Sequence, residues 1–397
     1  MFIVPNRQKS IKVGFISDLS GAFQWPAEAQ LKGVALAVRE INKEGGIKGR
    51  RVEIVKRDTE LDEALTAKRT RELIEKEKAD FIIGGIKAPL HQIINKETKK
   101  AGIIFMSIGQ TEELTQVEHL GPYTFHQAVT PYMTAQGAGA WMLENIGRKC
   151  FVITMDYSWG WHFAESFTNL VNRVGGKILG IAKIPFPAKD GDHAKHFSKI
   201  KKLKPEVLLV GNFGQQQVHF IQEAGKANLK RHMSIVNALS ETNIMAKLDP
   251  ETIAGMYWGG TFYWGLEQNL ETAKHFVSSY GRLFHELPSG YAAYGYSGTL
   301  EVLHAARKIG EYHLDPAKIS QELEGRTYAH YKTPEWWRPC DHQAFQDFYI
   351  FKMKGPEERK SKDDIAETLG ASSWNLDFER SCETLGHEKR LWGHIKK

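Results

Sequence analysis

The sequence offers few residue patterns that could carry covalent chemistry. The segment Cys340-Asp341-His342-Gln343 brings a thiol and an imidazole together, and a thiolate beside a histidine can act as a nucleophile. No GxSxG, HExxH or Walker pattern accompanies it. The segment GGIKGR at 45–50 lacks the serine or threonine of a P-loop and follows a helix-like stretch. These patterns predict a binding protein without catalytic residues, not an enzyme.

Three cysteines, Cys150, Cys340 and Cys382, bound the redox and metal chemistry of the chain. They contain no CxxC pair, so we expect neither a zinc site nor a redox motif, and no cofactor is predicted. Cys150 opens the apolar run CFVITMD and is predicted to be a buried thiol. Cys340 and Cys382 lie in polar sequence, where they could form a disulfide in an exported chain or stay reduced in a cytosolic one.

Composition excludes several classes of partner. The chain has 397 residues, of which 42% are hydrophobic and 25% charged, so we expect a globular protein of at least two domains. Its net charge of +6 is spread along the sequence without a basic run interleaved with aromatics, and nucleic-acid binding is not expected. The longest apolar runs, such as FIIGGI, are too short to cross a bilayer.

The amino-terminal sequence MFIVPNRQKS leaves the compartment open. It lacks the basic region, long apolar stretch and small-residue cleavage site of a secretory signal peptide. The chain is therefore either cytosolic or an exported protein without its signal. The residues alone do not separate these two possibilities.

The segment 31–58 shows the local pattern from which the fold is predicted. Its apolar residues recur at helical spacing up to Ile41, and Gly45 then offers the left-handed conformation that ends a helix. An apolar strand follows from Val52. This segment is half of a β-α-β unit, and the loop after the preceding strand is where open α/β sheets bind ligands.

Strand-like and helix-like segments alternate in two consecutive series, which predicts an α/β protein with two similar lobes. The strands are rich in Val, Ile and Phe without polar alternation, as is typical of parallel sheets buried on both faces. After residue 266 the chain is predicted to be helical, and a strand pair is predicted within 344–355. The charged stretch from Glu357 is predicted to be a helical or irregular tail.

The segment ISDLSGAFQWPAEAQLKGVALAVREINKEGGIKGRRVEIVKRDTELD resembles the opening signature of periplasmic solute-binding proteins of the leucine/isoleucine/valine type, which serve ABC importers. Later segments agree in order and spacing, among them ADFIIGGI, AGIIFMSIGQTEELT, ITMDYSWGWHFAESF and DHQAFQDFYIF. The resemblance covers residues 11–352. It implies the type I periplasmic binding protein fold, in which two doubly wound parallel-sheet lobes close on a small ligand at a three-segment hinge.

The same resemblance implies the domain boundaries. Each lobe takes two segments, which are 11–127 with 266–333 for the N-terminal lobe and 131–262 with 338–397 for the C-terminal lobe. The three crossovers are expected near Gln127–Pro131, Phe262–Leu266 and Thr333–Arg338. Gln127 and Trp264 are the predicted hinge residues, and His126 and Asp341 are expected to form hydrogen bonds there.

The resemblance also implies which loops bind the ligand. In amino-acid-binding members, hydroxyls and main-chain N–H groups at helix N-termini hold the ligand carboxylate, a favourable place for an anion. One matching loop here has Lys87 and Ala88 in place of small hydroxyl residues, so Lys87 either binds the carboxylate by its charge or is a solvated surface lysine. The matching residues of the second loop are Ile108, Gly109, Gln110 and Thr111. Thr111 could also cap the next helix.

Three aromatic residues match ligand-facing loops of the family. They are Trp25, Trp159 and Phe213, and each follows the carboxyl end of a predicted strand. One such residue alone could belong to the core or the surface. Together they are predicted to enclose the ligand between flat apolar faces.

The loop that supplies a carboxylate to the ligand ammonium in amino-acid-binding members corresponds here to VNALSETN. This alignment places Leu239 at the carboxylate position, with Glu241 reachable by a shift of two residues and Asn237 close by. With Leu239 there, the ligand need not carry an α-amino group. Aromatic or branched organic acids are then expected to bind more tightly than leucine or valine.

These residues and the resemblance imply a receptor that captures a small organic ligand, either an amino acid or an aromatic or branched carboxylate, and delivers it to ABC permease subunits. We expect a periplasmic monomer whose signal peptide is not present in this chain, with no metal. A ligand-sensing regulatory protein on the same fold is the alternative.

Overall fold

The computed structural model describes residues 9–212, 214–240, 242–372, 382, 386 and 387. Its strands are β1 (Ile11–Ser17), β2 (Val52–Asp58), β3 (Phe81–Gly84), β4 (Ile104–Ser107), β5 (Thr124–His126), β6 (Lys149–Met155), β7 (Lys177–Ile184), β8 (Val207–Gly211), β9 (Ser234–Asn237), β10 (Tyr257–Gly260), β11 (Thr327–Tyr328), β12 (Glu335–Trp337), β13 (Ala344–Phe345), β14 (Phe348–Met353) and β15 (Ala366–Ser372).

The helices lie mostly between consecutive strands, as the alternating pattern predicts. They are α1 (Gln24–Lys43), α2 (Glu63–Arg71), α3 (Ala88–Ala101), α4 (Pro131–Asn145), α5 (Ser158–Arg173), α6 (Ala194–Leu203), α7 (Gly214–Lys226), α8 (Thr242–Met245), α9 (Pro250–Ile253), α10 (Glu271–Phe284), α11 (Gly290–Ile309) and α12 (Pro316–Leu323). In the described part of the chain, none of these helices is long and apolar enough to cross a membrane.

The first sheet has the strand order β2-β1-β3-β4-β5, and all of its strand pairs are parallel. Both β3 and β4 are buried along their whole length. A parallel sheet that is covered on both faces explains why these strands are continuously apolar. This sheet and its helices form the first lobe.

The second sheet has the order β15-β14-β10-β9-β8-β6-β7. Its strands from β6 to β10 are parallel, whereas β14 pairs antiparallel with both β10 and β15. The sheet is therefore mixed, and the two strands predicted within 344–355 do not pair with each other. Part of the predicted helical or irregular tail forms the strand β15. An edge strand that is partly exposed can have a polar sequence, so the hydrophobic pattern did not indicate it.

The helices after residue 266 return to the first lobe because α11 packs closely against α1. An added Cβ atom at Gly33 would lie only 2.0 Å from the carbonyl oxygen of Ala292, and one at Gly295 would lie 2.3 Å from that of Gln30. Both neighbours are backbone atoms, which cannot rotate away as a side chain can. The glycines therefore allow the two helix backbones to approach each other.

The chain passes between the two sheets three times. It leaves β5 for α4, leaves β10 for α10, and enters β14 through Gln346 and Asp347. The third passage differs from the expected Thr333–Arg338, because β12 lies in a separate small antiparallel sheet with β11 and β13. Residues 341–343 also contact the first sheet, since the backbone N–H of His126 donates to the carbonyl of His342.

A buried polar network surrounds these passages. The carboxylate of Glu335 accepts hydrogen bonds from Tyr331 at 3.0 Å, Gln127 at 3.2 Å and Ser297 at 3.1 Å. Lys332 lies 3.7 Å from the same carboxylate. Gln127 lies between β5 and α4, in the first of the three passages.

The other hinge positions are held by different contacts. The indole of Trp264 is buried at the second passage and donates to the carbonyl of Asp363 at 2.7 Å. The imidazole of His126 bonds to Gln343 at 2.7 Å, whereas Asp341 pairs with Arg338. The second passage therefore docks on the loop between β14 and β15.

The cysteines divide as one free thiol and one disulfide. Cys150 is buried in β6, and burial raises the pKa of its thiol to about 12. Cys340 and Cys382 form a disulfide. His387, five residues further, contacts the carbonyl of Thr115 at 2.8 Å, so these described parts of the tail lie beside the first lobe. Within the expected C-terminal-lobe segment 338–397, β14 and β15 lie in the second sheet, whereas His387 contacts the first lobe.

The close contact between α1 and α11 leads to a prediction. Gly33→Ala should lower the free energy of unfolding by about 2 kcal/mol, because overpacking against backbone atoms outweighs the gain in helix propensity. Gly290→Ala, in α11, is the matched control, since an added Cβ there meets no atom within 4 Å. Urea denaturation followed by circular dichroism measures both. Equal stability of Gly33→Ala and wild type would contradict the packing argument.

Candidate ligand-binding site

The two lobes meet where loops at the carboxyl ends of their strands contact each other. Phe23, which follows β1, lies 5.1 Å from Phe186, which follows β7, measured between ring centroids. Tyr157, after β6, lies 5.3 Å from the same Phe186. The carboxyl ends of the strands are where open α/β sheets bind ligands. Sequence reasoning missed these three aromatics, although two of them lie within two residues of the predicted Trp25 and Trp159.

The predicted residues Gln110 and Trp159 come together across the cleft. The indole Nε1 of Trp159 donates to the side-chain oxygen of Gln110 at 3.0 Å. Trp159 is 1% exposed, and its ring stacks on Phe163 with centroids 5.3 Å apart. Trp159 therefore contributes to lobe contact, so its ring is not freely available as a ligand platform in this structure.

A second contact across the cleft is ionic. Glu113, which follows β4, lies 3.2 Å from the Nε2 atom of His162 on α5. The hydroxyl of Thr111 donates to the other oxygen of Glu113 at 2.7 Å. Thr111 thus orients an acid that binds the opposite lobe. Sequence reasoning missed this pair, because the partners are 49 residues apart in the chain.

The protonation of this pair is shifted in opposite directions. The hydrogen bond to Glu113 raises the pKa of His162 above its ordinary value. Burial opposes ionisation of Glu113, but hydrogen bonds from His162 and Thr111 outweigh it and lower its pKa to about 2. Both groups therefore favour their charged forms when the lobes are in contact.

The N-terminus of α3, where a ligand carboxylate is expected, already holds a carboxylate of the chain. The backbone N–H of Lys87 donates to Asp18 at 2.9 Å, and the hydroxyl of Thr59 donates to the same side chain. Burial raises the pKa of Asp18, and these hydrogen bonds partly offset the increase. The main-chain donor of Lys87 is thus engaged, and Ala88 beside it is buried.

Ile108 and Gly109 contribute their backbone to the scaffold of the cleft. The amide of Gln30 donates to the carbonyl of Ile108 at 2.8 Å and to that of Gly85 at 3.0 Å. His126 contacts the carbonyl of Gly109 at 2.8 Å. An added Cβ at Gly109 would lie 2.3 Å from the Gly85 carbonyl, so a larger residue does not fit.

The residues predicted at the end of β9 have different environments. Asn237 is completely buried, and neither its amide nitrogen nor its amide oxygen has a hydrogen-bond partner among the described residues. Leu239 is buried and its carbonyl accepts a hydrogen bond from Gln217 at 2.9 Å. Phe213 and Glu241 lie outside the described residues. Asn237 therefore has unused hydrogen-bonding capacity among the described residues.

Trp25 lines a cavity of about 600 Å³ between the two lobes. The first lobe contributes the start of α1 and the preceding short helix. The second lobe contributes the beginning of α7, with Gln215 and Val218, and the segment around α8, with Lys247 and Leu248. The cavity has the size of an ordinary small-molecule site, and its lining combines the aromatic Trp25 with one cation, Lys247, and one carboxylate, Glu28.

The ion pair across the cleft predicts a pH dependence. Because the pKa of His162 is raised, its charged imidazole stabilises the contact between the lobes fully below about pH 6.5. This stabilisation is lost as the pH rises through the raised pKa. The ionised carboxylate of Glu113 stabilises the same contact fully above its ordinary pKa of 4.5, and this stabilisation is lost as the pH falls towards 2. The lobes should therefore separate more at pH 9 than at pH 5.5, by at most about 1 kcal/mol in the closing equilibrium.

Spin labels at the exposed positions Lys96 and Lys226, one on each lobe, measure this separation. His162→Gln should remove the change between the two pH values. His232→Gln should retain the pH dependence, because His232 is exposed and lies before β9, at the amino ends of the strands. An unchanged pH dependence in His162→Gln would show that the pair does not control lobe contact.

Comparisons with known proteins identify a matching family model and similar chains. A family model described as periplasmic binding protein matches residues 10–362. The Leu/Ile/Val-binding protein homolog 7 of Brucella abortus strain 2308 is 23% identical over 333 residues, which cover 79% of this chain and 80% of the relative.

Solved structures share the fold. An amino acid ABC transporter substrate-binding protein from Pseudomonas fluorescens Pf-5 is similar with a TM-score of 0.85 and 22% identity, over 92% of this chain and 96% of that chain. A solute-binding protein of an ABC transporter from R. palustris, in complex with benzoate, is similar with a TM-score of 0.80 and 20% identity, over 92% and 96% of the two chains.

Proposed function

The chain belongs to the periplasmic binding protein family, and on this basis we propose that it captures a small organic ligand between its lobes and delivers it to the permease subunits of an ABC importer. The observation that carries the proposal is the ligand-sized cavity between the lobes, together with the contacts that Gln110 and Glu113 make across the cleft. A receptor that closes on its ligand needs both features, since the ligand must be enclosed and the closed lobes must contact each other.

The lining of the cavity favours a ligand with a flat or branched apolar body. Trp25, Val218, Ile244 and Leu248 supply apolar surface, and an indole face can bury an aromatic ring. Lys247 supplies a cation on the wall that the second lobe forms. A carboxylate ligand can place its body against Trp25 and its charge towards Lys247. Lys87 is a second cation near the cleft, although its main-chain donor is engaged with Asp18.

The β9 loop supports a ligand without an ammonium group. Leu239 is apolar, and Asn237 offers one neutral donor and one neutral acceptor. Neither Leu239 nor Asn237 carries an anionic group that could pair with a buried ammonium, and burial of an unpaired charge costs several kcal/mol. We therefore assign aromatic or branched organic acids as the ligand class, ahead of leucine and valine. The benzoate in the R. palustris neighbour fits this assignment.

Calorimetry tests the ligand class. Benzoate, as the aromatic acid, should bind more tightly than leucine to the wild-type protein. Trp25→Ala should weaken benzoate binding by about 2 kcal/mol, because truncation of a central aromatic residue removes its buried contact area. Tyr312→Ala is the control, since Tyr312 is 54% exposed and lies beside Arg50, away from the cleft. Tight leucine binding without a response to benzoate would contradict the assignment of Leu239.

Small-angle scattering tests capture by lobe closure. A saturating ligand should lower the radius of gyration, because binding shifts the population towards contact between the lobes. The ligand for this measurement is whichever compound binds most tightly in calorimetry, so the test does not depend on benzoate. An unchanged radius at saturation would contradict closure while leaving the ligand assignment intact.

A further inference from the structure

A cluster of metal-ligating side chains lies in the first lobe, outside the residues of the cleft. Glu301 and His304 are one turn apart on α11, and His330 lies in the connection between β11 and β12. One potential ligand atom from each of the three side chains lies within 4.8 Å of the other two. Residues three apart on a helix project from the same face, which explains how α11 supplies two of them.

The surroundings of Glu301 orient its carboxylate. The Oε2 atom accepts a hydrogen bond from the indole of Trp337 at 3.1 Å and lies 3.4 Å from the guanidinium of Arg326. The Oε1 atom faces His330, 2.8 Å from its Nε2 atom. One oxygen is therefore held by Trp337 and Arg326 while the other faces His330, an arrangement in which outer partners hold a ligand in place.

The imidazoles of His304 and His330 lie beside each other, with their ring centroids 5.5 Å apart. Imidazole nitrogens are common ligands of zinc and related ions.

An open pocket gives access to the cluster. Its volume is about 370 Å³, and both His304 and His330 line it. Three acidic residues, Glu40, Glu44 and Glu271, share the lining. The free volume has room for water on the exposed side of the ion.

From this arrangement we propose that Glu301, His304 and His330 bind a divalent transition-metal ion of the zinc class, with water from the pocket at the remaining position. Two imidazoles and one carboxylate form a recurrent ligand set for such ions. Zinc–nitrogen distances of about 2.0–2.1 Å require the three ligand atoms to approach by small side-chain rotations. The bound ion would link α11 to the segment that leads into Lys332 and Glu335 of the hinge.

Calorimetric titration of the tag-free, full-length protein with Zn²⁺ tests this site. We expect one tight site per chain in the wild type and at least about tenfold weaker binding in His304→Ala. His275→Ala is the matched control, because His275 lines the same pocket but pairs with Glu40 and is not one of the three ligands. This variant should bind Zn²⁺ like the wild type.

Thermal unfolding and Co²⁺ absorption provide measurements that do not depend on a single variant. Zn²⁺ should raise the Tm of the wild type but not that of His304→Ala or His330→Ala, since a ligand of the native state stabilises it. Co²⁺ should give visible d–d bands that both variants lose.

Three results would overturn the proposal. They are the absence of tight binding to the wild type, equal binding by His304→Ala, and an equal loss in His275→Ala. No cleft ligand is used, so the outcome is independent of the function proposed above.

Discussion

The buried carboxylate of Glu335 is the charge around which the hinge is arranged. An isolated charge in the interior is costly, and removal of one partner from a buried pair is strongly destabilising. Lys332 supplies the opposite charge, and burial lowers the pKa of its ammonium to about 8 even so close to a carboxylate. Gln127 belongs to the first passage and Ser297 to α11, so satisfying this one carboxylate brings separate segments to the hinge.

The contacts across the cleft are of a different kind. Trp159 with Gln110 and His162 with Glu113 are single side-chain pairs between lobes, and His162 remains partly exposed. Such pairs contribute little free energy each. Weak contacts between the lobes suit a protein whose lobes separate and close, since a ligand can shift an equilibrium only by its difference in affinity for the two states.

Local sequence patterns were sufficient for most of the scaffold and for some of the cleft. The apolar residues at helical spacing up to Ile41 and the glycines after them predicted the first helix and its turn. The apolar runs predicted the parallel strands. The polar edge strand β15 gave no such signal, and neither did the passage at Gln346, because its position follows from the pairing of β12 with β13. The position of Asp18 at the start of α3 was also hidden, since its partner Lys87 is 69 residues away.

The sequence by itself determined the α/β class, the two series of strands and the loops at their carboxyl ends, because periodicity and turn residues act over short distances. Tertiary structure alone decided what those loops do. It placed Trp159 against Gln110 in lobe contact, left the amide of Asn237 without a described partner, and put Trp25 on a cavity wall. It also gathered Glu301, His304 and His330. These outcomes depend on which distant segments meet, and hydrogen bonds and burial between such segments leave no periodic trace in the chain.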